Sequence, residues 1–358
     1  MTSPEGLAPP GKLHAELFSQ VILRHLGAAD ADVVVGPRHG VDLGVVRTAP
    51  GQVMALTSDP VFIVPTFGWE RATWFAVHIL ASDTAMSGLA PRWMAVDLNL
   101  PRELDDQGVT ELWQGYAKAC EDLGIAVVTG HTGRYDGTSW PMVGGATCMA
   151  TGPEDGYVTS AMAQPGDQVV VTKGAAIEAT ALFGGTFPEL LRPALGDAVV
   201  AAADTLFEAQ TVVPEARIAA GVGLREDGVT ALHDATEGGV LGGLVELAEA
   251  SGVGLRIDRD LIPVRPEVRA ICGHVGIDPY TAISEGTLLA TVRPHKAGAL
   301  LTALGEADID AAVVGEVTPV EEGRRLRTRE GEEDLAHPGF DPFWAAFAEW
   351  SASAAEDA

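Results

Sequence analysis

Val229-Thr-Ala-Leu-His233-Asp234-Ala-Thr-Glu237-Gly-Gly239-Val-Leu-Gly-Gly-Leu-Val-Glu-Leu-Ala248 reads as a strand, a loop carrying two acids, and a helix. Val229–Leu232 is a short apolar, β-rich run, and helical spacing of apolar residues covers Gly238–Ala250. The same alternation continues on either side. Downstream, strands are expected at Gly254–Ile257, Gly286–Val292 and Ala311–Val317, with a helix at His295–Leu304. Upstream lie a strand at Gln168–Thr172, a helix from Ala175, and helices at about Asp197–Glu208 and Pro214–Gly221. The charged run Glu321–Asp334 predicts a solvated hairpin, and Phe343–Trp350 a short closing helix.

The first half repeats the mixture. A helix is expected over Leu13–Leu26, where Leu17, Val21 and Leu26 form an apolar stripe. Strands follow at Val33–Val35, Leu43–Val46 and Val53–Thr57, then a long helix at Trp69–Ser87 that Pro91 cannot continue. Trp93–Leu98 is a strand, Val109–Leu123 a helix, Ile125–Thr129 a strand before a glycine-rich turn, and Pro141–Ala150 a strand. Gly, Pro and Ser cluster over Thr151–Gly166, where the pattern lapses. The organisation expected is a flexible arm over 1–12, domains over 13–155 and 165–330, and a tail over 331–358. Mixed elements in both halves give an α+β fold of two domains, the second of α/β character.

Composition narrows the function. The chain has 358 residues, 23 basic and 50 acidic, a formal net charge of −27. That balance argues against nucleic acid or an anionic membrane as the main partner. Hydrophobic residues make up 47%, so the chain is no disordered acidic polymer. Its three cysteines, Cys120, Cys148 and Cys272, have neither zinc-ligand nor disulfide-framework spacing, which fits a reducing cytoplasm. The start lacks signal-peptide character, and no apolar run reaches the ~20 residues that span a bilayer. Gly6-Leu-Ala-Pro-Pro-Gly11-Lys12-Leu13 mimics part of a P-loop, but it lacks the Ser/Thr for magnesium and a preceding strand.

What remains is a set of acids at strand and helix ends. Asp42 closes the loop Gly36-Pro-Arg-His-Gly-Val-Asp42, Asp59 ends an apolar strand, and Asp83 interrupts an apolar helix. Asp234 and Glu237 occupy the loop quoted above. Each has an ordinary alternative: Asp59 as a turn former before Pro60, Asp83 as a solvated helix residue, Asp234 and Glu237 as a capping box. Taken together they suit Mg²⁺, which binds hard oxygen ligands and substrate phosphates and would reconcile an acidic site with an anionic nucleotide. His131 could contact a phosphate, act as a base, or be a turn residue, and Lys173 could meet a phosphate or be solvated.

In their order along the chain, eight segments carry a resemblance. They are Gly36–Val46, Thr57–Pro60, Ser82–Pro91, Val128–Thr132, Thr172–Glu178, His233–Gly239, Ser284–Gly286 and Val314–Val317. The chain resembles the aminoimidazole ribonucleotide (AIR) synthase superfamily, which includes thiamine-monophosphate kinase, selenophosphate synthetase and the hydrogenase maturation dehydratase. The resemblance implies an N-terminal domain that binds ATP and pairs in a homodimer, with ATP in a cleft between domains. It implies Asp42, Asp59, Asp83 and Asp234 as Mg²⁺ ligands, with Asp42, His131 and Asp234 as catalytic residues. Gly130, Thr132, Lys173 and Glu237 would join Asp59 and Asp83 in binding the nucleotide; His131 stands where the family often has an acid. The activity implied is ATP-dependent phosphorylation of an oxygen on a small-molecule, carbamoyl or amide-type substrate. The alternatives are a small-molecule kinase, or a nucleotide-binding partner in metalloenzyme maturation with little turnover. The dehydratase carries its substrate on a C-terminal cysteine; this chain ends Ser351-Ala-Ser-Ala-Ala-Glu-Asp-Ala358.

Overall fold

The computed structural model describes Leu13 and residues 15–356. The arm over 1–12 and the P-loop mimic up to Lys12 fall outside the described residues. The first strands are β1 (Val33–Val35), β2 (Gly44–Ala49) and β3 (Gln52–Phe62). Helix α2 (Trp69–Ala85) follows, numbered after the single turn α1 (Ala15–Leu17). Then come β4 (Trp93–Pro101), α3 (Asp106–Leu123), β5 (Ala126–Tyr135) and β6 (Met142–Pro153). These strands form one sheet in the order β1-β2-β3-β6-β4-β5.

The second half holds β7 (Gln168–Thr172), α4 (Ile177–Thr186), α5 (Pro188–Leu195), α6 (Asp197–Thr205) and α7 (Val213–Val222). It continues with β8 (Val229–Asp234), α8 (Gly239–Ser251), β9 (Gly254–Asp258), α9 (Pro266–Val275) and β10 (Leu288–Val292). It closes with α10 (Pro294–Glu306), β11 (Ala311–Thr318), the hairpin β12 (Arg324–Thr328) and β13 (Gly331–Asp334), and α11 (Pro342–Glu356). The seven strands order as β13-β12-β9-β11-β7-β10-β8.

Strand alternation explains how this second sheet is covered. Val169 and Val171 pack in one core with α8, while Val170 between them joins the core shared with α7 and α10. That shared core also holds Val53, Leu80 and Met94 of the first half, so a single apolar interior joins the two sheets. Polar clasps reinforce the junction: the Val212 N–H donates to Ser82 Oγ at 3.1 Å, and His78 Nδ1 lies 2.9 Å from Thr211 Oγ1. Helix α2 is thereby tied to the segment before α7. A third core gathers α4, α6, α9 and α11 around Phe183 and Phe343.

Two expectations need correction. The helix over Leu13–Leu26 is only the turn Ala15–Leu17 followed by a π-helical turn at Phe18–Ile22. Leu17, Val21 and Leu26 are exposed, so nothing among the described residues covers the stripe that predicted a longer helix. The strand at Ile125–Thr129 does not end in a turn: β5 runs on through Gly130, His131 and Thr132 to Tyr135. A Cβ on Gly130 would lie 2.0 Å from the Val96 carbonyl oxygen, so glycine serves close strand pairing there.

Candidate functional site

The acids dispersed along the chain meet at the junction of the two sheets. Asp42 precedes β2, Asp59 lies inside β3, Asp83 is in the last turn of α2, and Asp234 ends β8. The first three come from the N-terminal half and the fourth from the C-terminal half. Asp83 is 8% exposed and accepts the Thr57 hydroxyl at 3.2 Å. Burial, then the like charges of Asp234, Asp59 and Asp42, raise its pKa well above the ordinary value. The ordinary alternatives fail on geometry. Strand β3 continues past Asp59 through Pro60 to Phe62, so Asp59 forms no turn. Helix α8 is capped by Gly238 without a side chain, so Asp234 and Glu237 are not its capping box.

His233 sits between the halves. Its Nδ1 is 2.8 Å from Asp42 Oδ2 and 3.7 Å from Asp234 Oδ1, and its Nε2 is 3.1 Å from Glu246 Oε2. Burial alone would lower its pKa, but Asp42 and then Glu246 overcome that effect and hold it well above the usual histidine value. One oxygen each of Asp42 and Asp234 lies, with a ring nitrogen of His233, within a span of 4.8 Å. Two carboxylates at that separation repel by about 3–4 kcal/mol at an effective dielectric near 20. One imidazolium offsets part of this, and four aspartates remain around it. Buried hard oxygens with surplus negative charge fit Mg²⁺. Asp42, Asp59, Asp83 and Asp234 are the residues that could hold it.

A second acidic group adjoins the first, and most of it went unread in the sequence. Glu178, in the first turn of α4, accepts the Glu285 N–H at 3.0 Å through Oε2. Burial raises its pKa to about 8, and Asp341, Glu237 and Asp234 act in the same direction. Glu285 is 2% exposed, and burial followed by Asp234 and Glu178 pushes its pKa well up, against a hydrogen bond from Ser82. Glu285 Oε1 makes no hydrogen bond in the structure. The signals were present: Glu178 ends the segment Thr172–Glu178 and Glu285 centres Ser284–Gly286, both among the segments that carry the resemblance. Neither could be ranked above a surface acid without knowing that both are enclosed.

The loop between Asp234 and α8 is fixed by its backbone. Gly239 has φ +61°, and a Cβ there would meet the Ala282 and Tyr280 carbonyl oxygens at 2.6 and 2.8 Å. Only glycine fits this approach. Glu237, half-buried in the same loop, acts electrostatically on both Glu178 and Asp341.

Lys173 and the strand residues do not join the four aspartates as expected, although Lys173 acts electrostatically on Glu285. The Lys173 ammonium donates to the Ala209 and Thr211 carbonyls at 2.9 and 2.6 Å and pairs with buried Glu215 at 2.6 Å. Its three donors are thus engaged, and burial lowers its pKa despite Glu215. It anchors the segment before α7 instead of presenting a charge to phosphate. His131 aligns with Asp97, Gly145 and Pro60 across the first sheet, whereas Gly130 aligns with Val96, Ala146 and Asp59. Adjacent residues face opposite sides, so His131 projects from the face opposite Asp59. There its Nε2 lies 2.5 Å from the Tyr135 hydroxyl. Gly130 and Thr132 share the aspartate's face, but three strand spacings, about 14 Å, separate Gly130 from Asp59.

Among the described residues, no helix is long and apolar enough to cross a membrane. Two family models match the chain: AIR synthase related protein, N-terminal domain, over residues 40–162, and its C-terminal domain over residues 164–326. Carbamoyl dehydratase HypE of Rhizobium leguminosarum bv. viciae is 29% identical over 286 residues, 75% of each chain. The crystal structure of HypE from E. coli superposes with a TM-score of 0.66 at 27% identity, covering 81% of this chain and 87% of that one. A hydrogenase maturation protein HypE solved in complex with ATP has a TM-score of 0.63 at 22% identity, covering 92% and 95%. With both domains matched in order and the two-sheet α+β architecture in place, this chain belongs to the AIR synthase related family.

Proposed function

We propose that the junction between the two sheets binds Mg²⁺ and ATP and activates the oxygen of a carbamoyl or amide substrate by phosphorylation. The observation that carries this reading is the meeting of Asp42, Asp59 and Asp83 with Asp234 across the two halves. The carbamoyl dehydratase relative and the neighbour solved with ATP support it. Mg²⁺, when bound, would neutralise the charge on the transferring phosphoryl group. The four aspartates hold it, and His233 fixes the direction of the Asp42 carboxylate through their 2.8 Å contact. Once an amide oxygen carries a phosphoryl group, loss of phosphate together with the N–H protons completes a dehydration. Buried Glu285 and half-buried Glu178 lie beside Asp234 and would accept those protons in their ionised forms. Glu237, in the loop after Asp234, acts electrostatically on Glu178.

The test is ADP formation on adding ATP, Mg²⁺ and a panel of primary carbamates and amides. Substrate-dependent ADP release that Asp59→Asn abolishes is expected. Absence of ATP binding by calorimetry in the presence of Mg²⁺ would overturn the reading.

Two copies pair, in this proposal, through the outer face and edge of the first sheet. Val128, Tyr135 and Met142 are 54%, 42% and 55% exposed there, and His131 projects from the same face. A monomeric mass by light scattering would contradict it. The hydrogenase-maturation role named for relatives supports a protein partner in metallocentre assembly, which affinity capture from hydrogenase-producing cells would reveal.

A further inference from the structure

The segment after the second sheet runs back over the acid-bearing loop. It lies beyond the residues matched by either family model. His337 and Pro338 close over the loop: a Cβ on Gly238 would lie 3.2 Å from Pro338 and 3.3 Å from His337 Nε2. The Gly339 N–H donates to His337 Nδ1 at 3.0 Å, which shapes the turn. Asp341 follows, 5% exposed, and its carboxylate meets three backbone amides, those of Gly238, Phe343 and Ile283. Oδ1 accepts the Phe343 N–H at 2.9 Å, the bond that caps helix α11. Oδ2 accepts the Gly238 N–H at 2.8 Å, four residues beyond Asp234 and one beyond Glu237.

Capping needs one oxygen. The second spans 103 residues of sequence to hold a backbone amide in the loop that carries two of the site acids. The other end of the connection is firmly anchored. Phe343 and Phe347 of α11 pack on Phe183 of α4, with ring centroids 5.5 and 5.4 Å apart. Helix α4 in turn presents Glu178 to the cluster. One strap therefore touches the loop on one side and the core behind Glu178 on the other.

We propose that Asp341 is a positioning residue: through Oδ2 it holds the Asp234–Gly239 loop in the geometry that binds the metal-nucleotide complex. This rests on the Mg²⁺–ATP reading above. The charge-neutral variant Asp341→Asn separates the two jobs. Asparagine caps a helix as well as aspartate does, so α11 keeps its start. With its oxygen on the Phe343 amide, its NH₂ group faces the Gly238 N–H, and that bond is lost.

Two readouts are taken on the full chain. Hydrogen exchange of the 235–239 amides reports the loop directly, without nucleotide, and faster exchange is expected in Asp341→Asn. The Mg²⁺ concentration for half-maximal binding of a non-hydrolysable ATP analogue reports the consequence, with an expected rise of about tenfold, as for supporting groups around metal ligands. Phe347→Ala serves as control; it loosens α11 by removing a ring from the core, and should lower the melting temperature without moving the Mg²⁺ requirement. Unchanged loop exchange in Asp341→Asn, or a Mg²⁺ requirement within about twofold of wild type, overturns the proposal. So does Phe347→Ala shifting the requirement as far as Asp341→Asn does. If the wild-type protein binds no nucleotide, the functional reading fails, and loop exchange still decides whether Asp341 holds the loop.

Discussion

Glu178→Gln distinguishes a carboxyl retained for chemistry from one retained for the fold. The side chain opens α4, accepts the Glu285 N–H at 3.0 Å, and has a pKa raised from 4.5 to about 8, mainly by burial. Glutamine keeps the shape and an acceptor oxygen and removes the charge. A carboxyl with a higher pKa in the folded chain than in the unfolded chain stabilises the fold fully below its ordinary value. That contribution is lost as the pH climbs through the folded value. The window therefore runs from 4.5 to about 8. Each pH unit within it weakens the fold by about 1.4 kcal/mol, a ceiling of roughly 5 kcal/mol. Neighbouring acids share the proton, so a net effect of about 2 kcal/mol at the top of the window is the working figure. Urea unfolding in EDTA across a pH series measures it. We expect metal-free Glu178→Gln to match wild type near the bottom of the window and to exceed it by about 2 kcal/mol near the top. Substrate-dependent ADP release should fall in the same variant. A variant less stable than wild type at high pH, or a difference that does not change with pH, would refute the electrostatic reasoning.

Asp59→Asn and Asp234→Asn should each weaken Mg²⁺–ATP binding by at least about tenfold in calorimetry, because each removes a charged ligand from a shared site. His233→Ala strips the imidazolium from between Asp42 and Glu246, 2.8 and 3.1 Å away, and should destabilise the metal-free protein by about 3–5 kcal/mol in urea. Saturating Mg²⁺ should restore part of that loss. Gly239→Ala forces a Cβ to 2.6 Å from a carbonyl oxygen at φ +61° and should lower thermal stability by about 2 kcal/mol or more. Lys173→Met should destabilise the chain, since Glu215 is left buried and unpaired, while nucleotide affinity in the folded fraction stays unchanged.

Much of this architecture was legible because strand and helix periods alternate cleanly. The expected strands at Val33–Val35 and Gln168–Thr172 and the helix at Val109–Leu123 reappear with little change. The N-terminal stripe misled because periodicity reports a face that wants a partner, and Leu17 and Val21 have no cover among the described residues. Gly130 suggested a turn, since glycine permits one; here it permits close approach to Val96. The gathering of Asp42, Asp59, Asp83 and Asp234 was expected only through the resemblance, because spacing along the chain does not encode which sheet edges meet. Lys173 could not be assigned from sequence at all: its counter-ion Glu215 lies 42 residues away, and only the fold shows that its ammonium points inward.

The most direct measurement is a crystal of the full chain grown with a non-hydrolysable ATP analogue and Mn²⁺, with the ion located by anomalous scattering. We expect ions about 2 Å from carboxylate oxygens of Asp42, Asp59, Asp83 and Asp234, each also bound to a phosphate oxygen. Nucleotide and ions bound elsewhere, with these four carboxylates left to one another and to His233, would contradict the account.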